Sequence, residues 1–198
     1  MDLIIKTLKP DLLDDFLYFF DEKAFVDNPN WASCYCQFYH FAGLRKKWSK
    51  RTREQNRESS IELIKSGKMK GFLAYENETP VGWCNANSKK NYSFIPFKEN
   101  LDNQLKIASI VCFLIDPSYR QKGIARMLLQ KLCQYYKDKN YDFIESYPVK
   151  GDKSDAHNYH GPHSLYLSEG FTLYKELSRI YVMRKNLRLN TKMSIKLL

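Results

Sequence analysis

The stretch IDPSYRQKGIARMLLQKL, residues 115–132, decides the fold of this protein. It leaves an apolar run, passes through an Asp-Pro pair and enters a helical pattern at Gly123 and Ala125. The first amides of a helix lack partners and carry the positive end of the helix dipole, and small residues let an anion approach the main chain. Arg120 and Lys122 add positive charge, so the stretch predicts a phosphate-binding turn between a strand and a helix.

Two common phosphate-binding loops do not fit this turn. A Walker loop requires a second glycine followed by Lys-Ser or Lys-Thr, and a dinucleotide fingerprint requires three glycines. Gly123 is the only glycine of the stretch. The setting is nevertheless specific, because an apolar strand predicted at residues 106–115 precedes the turn and an amphipathic helix predicted at residues 123–139 follows it.

The rest of the chain predicts a mixed α/β protein of the α+β type. Strands are predicted at residues 3–8, 71–88 (as a hairpin), 141–148, 171–177 and 179–187, and helices at residues 10–20, 52–66 and 162–170. The order β-α-α-β-β-β-α-β-α-β-β places two parallel strands around the 123–139 helix, joined by a right-handed crossover. Residues 27–44, which are rich in aromatic side chains, and residues 89–104 show no clear period and are predicted to be irregular.

Composition favours a single folded domain. The chain has 198 residues, of which 43% are hydrophobic and 15% aromatic, enough for one core. No apolar stretch is long enough to cross a bilayer, and the N-terminus lacks the order of a secretion signal. Five cysteines, an odd number, fit a reducing compartment better than a disulfide framework. We therefore expect a soluble, cytoplasmic protein without membrane attachment.

The positive charge of the chain is local. The formal net charge is +10, but residues 45–53 carry six basic side chains and residues 184–198 carry five, with no acidic side chain in either stretch. Without these two patches the chain is close to neutral. The patches fit either a solvated loop and tail or the attraction of an anionic ligand, and a nucleic-acid partner, which rests on charge alone, is not favoured.

Two motifs resemble those of a known family. VCFLIDPSYRQKGIARMLLQKLC resembles the acetyl-CoA-binding motif of the GNAT N-acetyltransferase superfamily, Arg/Gln-x-x-Gly-x-Gly/Ala after such a strand. HSLYLSEGF, about 40 residues later, resembles the family's Leu-Tyr-x-x-x-Gly-Phe. The resemblance implies a mixed, splayed sheet flanked by helices. It also implies one acetyltransferase domain at residues 1–184, with an acetyl-CoA core at 70–184, an acceptor-side segment at 21–68 and a basic tail at 185–198.

The resemblance implies acetyl-CoA as the cosubstrate, bound mainly by the main chain. The pyrophosphate would be held by the turn that comprises Arg120, Gln121, Lys122, Gly123, Ile124 and Ala125. Main-chain groups of Phe113, Leu114 and Ile115 would pair with the pantetheine arm, and an amide near Leu114 would serve the thioester oxygen. Asn158 is a candidate ligand contact, although the family often has asparagine seven residues before the position of Tyr166 and here it lies eight before.

The reaction implied is direct acetyl transfer to a primary amine within a ternary complex. Tyr166 matches the family position where a phenol often protonates the departing thiolate, and a buried structural tyrosine is the alternative. Glu145 is the candidate general base, and a structural carboxylate is the alternative. His157, His160 and His163 lie close in sequence, but without a set of cysteine or carboxylate partners we expect no metal site. A solvent-linked base remains open.

The acceptor side is predicted from the aromatic run around CYCQFYH, residues 34–40. In the family this segment often lines the acceptor pocket, so Trp31, Tyr35 and Phe38 are candidate substrate contacts. A hydrophobic cluster under a long loop is the alternative. A metal or redox role for the two cysteines and the histidine of this run is a weak pattern, because no second pair exists.

The sequence leaves the acceptor and the assembly state open. A small-molecule amine is the favoured acceptor, and a homodimer is compatible with the sequence. Cys112, on the motif strand, invites an acyl-cysteine intermediate, but a small apolar residue of a central strand is the simpler interpretation. The alternative function is a catalytically silent CoA-binding sensor or interaction module.

Overall fold

A seven-stranded mixed sheet forms the centre of the structure, a computed structural model that describes residues 2–98, 105–151 and 158–188. The strands are β1 (Leu3–Thr7), β2 (Gly71–Glu76), β3 (Thr79–Ser88), β4 (Ile107–Ile115), β5 (Phe143–Ser146), β6 (Thr172–Glu176) and β7 (Tyr181–Asn186). Their spatial order is β1-β2-β3-β4-β5-β7-β6. The pair β4–β5 is parallel and the other neighbouring pairs are antiparallel. The predicted fold class, with its single parallel crossover, is confirmed.

The helices flank this sheet. They are α1 (Leu13–Tyr18), α2 (Arg45–Trp48), α3 (Arg53–Lys65), α4 (Ile124–Asp138) and α5 (His163–Ser168). Helix α1 lies between a 3-10 turn and a π-helical turn, so the predicted helix extends to Lys23. Helix α3 begins at a capping box, in which Thr52 and Gln55 satisfy each other's backbone amides. The short helix α2 falls within the basic run and was not predicted.

Two apolar layers cover the two faces of the sheet. Successive strand residues point to opposite faces, so Phe72 packs with helices α4 and α5 whereas Leu73 packs with α1, α3 and the aromatic segment. The α4 side is contributed by Leu128, Leu129 and Leu132, all of them buried. The aromatic segment thus belongs to the core of one face rather than to a loose surface loop.

Strands β4 and β5 separate towards their carboxyl ends. Their pairing covers Ile107 to Ile110 on β4, whereas β4 continues along β3 as far as Ile115. The second half of β4 therefore borders a gap in the sheet, which is the splayed arrangement that the family resemblance implied. Carboxyl ends of parallel strands are where α/β proteins place ligands.

Some predictions fall on residues that the structure does not describe. The basic tail lies outside the described residues from residue 189 onward, as do residues 99–104 of the predicted loop and residues 152–157, which include His157. In the residues that are described, no helix has the length and apolar character needed to cross a bilayer. The five cysteines are free thiols.

Candidate active site

The turn between β4 and α4 has the geometry of an anion cradle. The turn begins at Asp116, whose carboxylate accepts a hydrogen bond of 2.9 Å from the Ser118 amide. Gln121 and Gly123 adopt left-handed conformations, with φ of 60° and 81°, and Gly123 is the N-cap of α4. A Cβ built on Gly123 would meet nothing within 4 Å. The amides of the first turn of α4 therefore border open space, as binding of an anion by the main chain requires.

A cleft of about 430 Å³ opens onto this turn, and we call it the motif cleft. Its other walls are the end of β4, the segment from Ala24 to Trp31 and the segment from Asn158 to Leu165. Of the ten predicted cosubstrate contacts, nine line it: Phe113, Leu114, Ile115, Arg120, Gln121, Gly123, Ile124, Ala125 and Asn158. The tenth, Lys122, places its ammonium 4.6 Å from the ring centroid of Tyr119. The structure thus brings both sequence motifs to one cleft.

The amides of β4 face the gap in an order that differs from the prediction. The Asp116 amide donates to Val81 on β3, whereas the Phe113 amide donates to the Tyr159 carbonyl at 2.6 Å. Because amide directions alternate along a strand, the Ile115 amide faces the same way as that of Phe113, and the Leu114 amide faces β3. An amide that serves a ligand in the gap is therefore that of Ile115 or Phe113, and the latter already has an internal acceptor.

Arg120 connects the turn to the N-terminal part of the chain. Its guanidinium forms two hydrogen bonds with the Asp27 carboxylate, at 2.5 and 3.3 Å. Asp27 lies just before the 3-10 turn that carries Trp31, and both residues line the motif cleft. Sequence reasoning missed Asp27, because the pair is 93 residues apart and no local pattern joins its members.

A second cavity of about 320 Å³, which we call the aromatic cavity, adjoins the motif cleft. The two share Phe25, Trp31 and Leu114 as lining residues. The rings that line the aromatic cavity are those of Phe20, Phe25, Trp31, Phe38, Tyr39, Trp48 and Tyr159. The structure therefore places the predicted substrate contacts Trp31 and Phe38 at this cavity.

Tyr35 lies elsewhere than the prediction supposed. Its side chain is fully buried and lines neither cavity. The Tyr35 hydroxyl donates to the Asp21 carboxylate and accepts from the Arg53 guanidinium at 3.0 Å. Its backbone is left-handed, with φ of 43°. This geometry favours a structural role for Tyr35, because its side chain has no exposed surface that a substrate could contact.

Three thiols also line the aromatic cavity: Cys34, Cys36 and Cys112. The Trp83 indole donates to the Cys36 sulfur at 3.1 Å. Burial raises the pKa of Cys34 to about 12, and the hydrogen bond with Cys36, together with burial, raises the pKa of Cys112 well above its ordinary value. Cys112 is therefore protonated at neutral pH, which disfavours an acyl-cysteine intermediate on it.

His40 has a protein partner. Its Nε2 lies 3.4 Å from the Asn85 amide nitrogen, and burial lowers the pKa of His40 to about 4. Within the described part of the chain, no group of three or more His, Cys, Asp or Glu side chains is arranged to hold a metal ion.

Tyr166 lies directly behind the wall of the motif cleft. Its hydroxyl donates to the His160 carbonyl at 2.5 Å, and its side chain is fully buried. Gly161 separates it from the cleft, because a Cβ there would lie 3.0 Å from the Tyr166 oxygen. Burial raises the pKa of the Tyr166 phenol well above its ordinary value, so the hydroxyl keeps its proton at neutral pH. Its catalytic role stays a prediction.

Glu145 is buried within a network of cations rather than at a cleft. Arg184 donates to one carboxylate oxygen at 2.5 and 2.9 Å. Lys89 and Tyr147 donate to the other at 2.6 and 3.0 Å. The side chain is fully buried and lines neither cavity. The catalytic role remains untested, but this geometry favours the structural alternative, since both oxygens already accept hydrogen bonds.

Glu145→Gln is expected to destabilise the fold rather than to impair chemistry alone. The amide leaves Lys89 and Arg184 without a buried counter-charge, which costs about 3–5 kcal/mol of unfolding free energy. Urea unfolding measures the loss, and Glu58→Gln, on the exposed side of α3, should stay within about 0.5 kcal/mol. A variant with unchanged stability and a much lower turnover would assign Glu145 to catalysis instead.

His160 joins the two cavities from within the wall. Its Nε2 lies 3.1 Å from the Tyr39 hydroxyl, and its ring packs on that of Tyr159 with centroids 4.3 Å apart. Its Nδ1 is buried and has no hydrogen-bond partner among the described residues. Burial lowers the pKa of His160 to about 4, so the ring is neutral at pH 7.

The buried histidine predicts a loss of stability in mild acid. The pKa of His160 is about 4 in the folded protein and about 6.5 in an unfolded chain, so protons favour unfolding between these values. Unfolding free energy should fall by about 3 kcal/mol per such histidine as the pH drops from 6.5 to 4. His160→Asn should remove about half of this slope, because the buried His40 contributes a similar share, and an unchanged slope in the variant would contradict the assignment.

The model of the Acetyltransferase (GNAT) family matches residues 29–161. Among curated protein sequences there is no significant match. Many solved structures share the fold.

One is the PaiA N-acetyltransferase from Thermoplasma acidophilum in complex with coenzyme A, at 18% identity, TM-score 0.54 and coverage of 94% of this chain and 99% of that one. An N-acetyltransferase from Staphylococcus aureus Mu50 is similar at 17% identity and TM-score 0.55, with 95% and 100% covered. The ribosomal-protein-S18-alanine N-acetyltransferase from Escherichia coli is similar at 12% identity and TM-score 0.50, with 97% and 98% covered. At these identities the structures establish likeness of fold alone.

Proposed function

This chain belongs to the GNAT acetyltransferase family, and on that basis we propose that it transfers the acetyl group of acetyl-CoA to a primary amine. The observation that carries the proposal is the junction of the two cavities at Leu114 and Trp31. One side of the junction offers a main-chain anion cradle, and the other offers a cavity lined by aromatic rings. A two-substrate transfer needs two such compartments that meet at the reacting atoms.

The residues of the motif cleft fit acetyl-CoA, which supplies an activated acetyl group as a thioester. The amides of the turn from Gln121 to Ala125 would bind the pyrophosphate, with the Arg120 guanidinium close by. The open space above Gly123 supports this assignment. On β4, the Ile115 amide faces the gap, where it would bind the pantetheine arm of the cosubstrate or its thioester carbonyl oxygen.

Proton transfer is assigned to groups behind the cleft. In the transfer, the amine nitrogen bonds to the acetyl carbon, the carbon–sulfur bond breaks, the amine loses a proton and the sulfur gains one. Tyr166 is the proposed proton donor to the sulfur, because its phenol is protonated at neutral pH and adjoins the wall at Gly161. The pair Tyr39–His160, whose Tyr39 ring lines the aromatic cavity, is the proposed proton acceptor in place of Glu145.

A second function has one observation in its favour. The Phe113 amide already donates to the Tyr159 carbonyl, and the Tyr166 hydroxyl already donates to the His160 carbonyl. A protein in which both groups stay engaged would bind CoA without turnover and would serve as a sensor or an interaction module.

One experiment separates these functions. Calorimetric titration with acetyl-CoA measures binding, and release of free thiol with a panel of amines measures transfer. Binding together with amine-dependent thiol release supports the enzyme. Binding without any thiol release supports the silent module, and the absence of binding contradicts both.

A further inference from the structure

In the part of the chain that the structure describes, the aromatic cavity is lined by uncharged side chains. None of the described residues that line it is an aspartate, glutamate, lysine, arginine or histidine. The motif cleft differs, since its lining includes Asp27, Arg120 and Arg126. The two adjoining cavities thus differ in their described linings: charged side chains line the cavity on the cosubstrate side, and uncharged side chains line the other.

Two carboxylates that do not line the aromatic cavity, Asp21 and Glu145, are already paired with cations. Asp21 accepts hydrogen bonds from Arg53 and Arg57 as well as from Tyr35. The fully buried Glu145 is held by two cations. The described structure therefore offers no lining carboxylate as a counter-ion for an ammonium group, which an acceptor with several positive charges would need.

The walls have the size and shape of an aromatic site. Rings approach one another edge to face, with Phe38 and Trp48 centroids 5.3 Å apart, and Trp31 and Tyr159 are tilted at 5.8 Å. An apolar cavity of about 150 Å³ holds benzene, so about 320 Å³ is enough for one or two rings. Offset and edge-to-face packing of a flat ligand against such walls is favourable.

We propose that the acceptor is a small aromatic primary amine, with one or two rings and no second charged group. The proposal rests on the proposed function and narrows it to a substrate class. The amine nitrogen would lie at the junction by Leu114, where the cavity meets the motif cleft, and the ring would lie against the rings of Phe38 and Trp48. Polyamines, aminoglycosides and free amino acids are disfavoured by the same argument, because each brings a further charge against a described lining that carries no charged side chain.

The test is a panel of matched amines with thiol release as the readout. Tryptamine and phenethylamine represent the proposed class, hexylamine lacks the ring, tyrosine adds a carboxylate and spermidine adds ammonium groups. We expect kcat/KM for the aromatic monoamines to exceed that for tyrosine and spermidine by at least about 100-fold, since a buried unpaired charge is costly. A preference for spermidine or tyrosine would overturn the proposal, and so would equal rates with hexylamine and phenethylamine.

A charge-introducing variant tests the cavity itself. Phe38→Glu places a carboxylate among the rings, so kcat/KM for phenethylamine should fall about tenfold or more and that for spermidine should rise, while acetyl-CoA affinity stays the same. Leu44→Ala, exposed and outside both cavities, should leave all rates unchanged. Circular dichroism confirms folding, and Phe38→Tyr is the substitute if the glutamate variant unfolds, with a milder loss expected for phenethylamine alone.

Failure of this inference is distinguishable from failure of the proposed function. If no amine releases thiol although acetyl-CoA binds, the proposed acetyltransferase function is wrong and so is any proposed acceptor. If amines other than aromatic monoamines react best, the acetyltransferase function is supported and the proposed substrate class is wrong. If Phe38→Glu leaves the order of preference unchanged, the aromatic cavity is not the acceptor site.

Discussion

Gly123→Glu is expected to abolish acetyl-CoA binding while leaving the protein folded. The new side chain would project into the open space beside the turn, where the proposed pyrophosphate lies, and would bring a like charge. Loss of the main-chain hydrogen bonds and repulsion together should lower affinity by about 100-fold or more, equivalent to about 3 kcal/mol. Calorimetric titration with acetyl-CoA measures the change.

Two controls separate this effect from backbone strain. Gly123 has φ of 81°, so any side chain there strains the turn. Gly123→Ala carries the strain without the charge and should keep affinity within about tenfold. Gly151→Glu has the charge and a similar φ, 74°, but lies outside both cavities and should bind normally. Equal affinity in Gly123→Glu and Gly151→Glu would remove the cradle from the proposal.

Tyr166→Phe is expected to lower kcat by about 100-fold, with KM for acetyl-CoA nearly unchanged. The phenol is the proposed donor to the departing sulfur, and a positioned acid contributes about 10²–10⁴ in rate. Because the hydroxyl lies behind Gly161 and bonds to the His160 carbonyl, the wall must shift slightly for the proton to reach the cleft. Steady-state thiol release measures both constants.

A second buried tyrosine gives the matched control. Tyr136 also donates its hydroxyl to a backbone carbonyl, that of Ala86 at 2.7 Å, and it lines neither cavity. Tyr136→Phe and Tyr166→Phe should each lose about 1 kcal/mol of stability. Only the second should lose turnover; similar rates for both would leave Tyr166 a structural tyrosine.

The fold could be predicted from sequence because its signals are local. The turn at Gly123 lies between a strand with two apolar faces and a helix with one apolar face. Together with the strand predicted at residues 141–148, this hydrophobic pattern predicts a parallel crossover. The helix at Arg45–Trp48 was missed because four basic and aromatic residues carry no amphipathic period. The π-helical turn was likewise invisible, since it continues an ordinary helical pattern.

The sequence located the candidate site only where its geometry belongs to the main chain. The cradle depends on small residues at fixed spacing, a pattern that a sequence displays directly. Side-chain roles depend on partners far along the chain, so alternation alone could not show that Glu145 meets Lys89 and Arg184. In the same way, composition marked the aromatic segment but could not distinguish Phe38, in a wall, from Tyr35, in the core.

Residues 158–161 contribute to both cavities, so substitutions in this segment are constrained by two sets of contacts. Asn158 and Gly161 line the motif cleft, whereas the Tyr159 ring lines the aromatic cavity. The Tyr159 carbonyl accepts a hydrogen bond from the Phe113 amide of β4, and the His160 ring is hydrogen-bonded to the Tyr39 hydroxyl. Insertion or deletion of a single residue here would shift all of these contacts at once. Substitutions that alter one cavity alone are therefore expected elsewhere in its lining, because a change in this segment alters both cavities together.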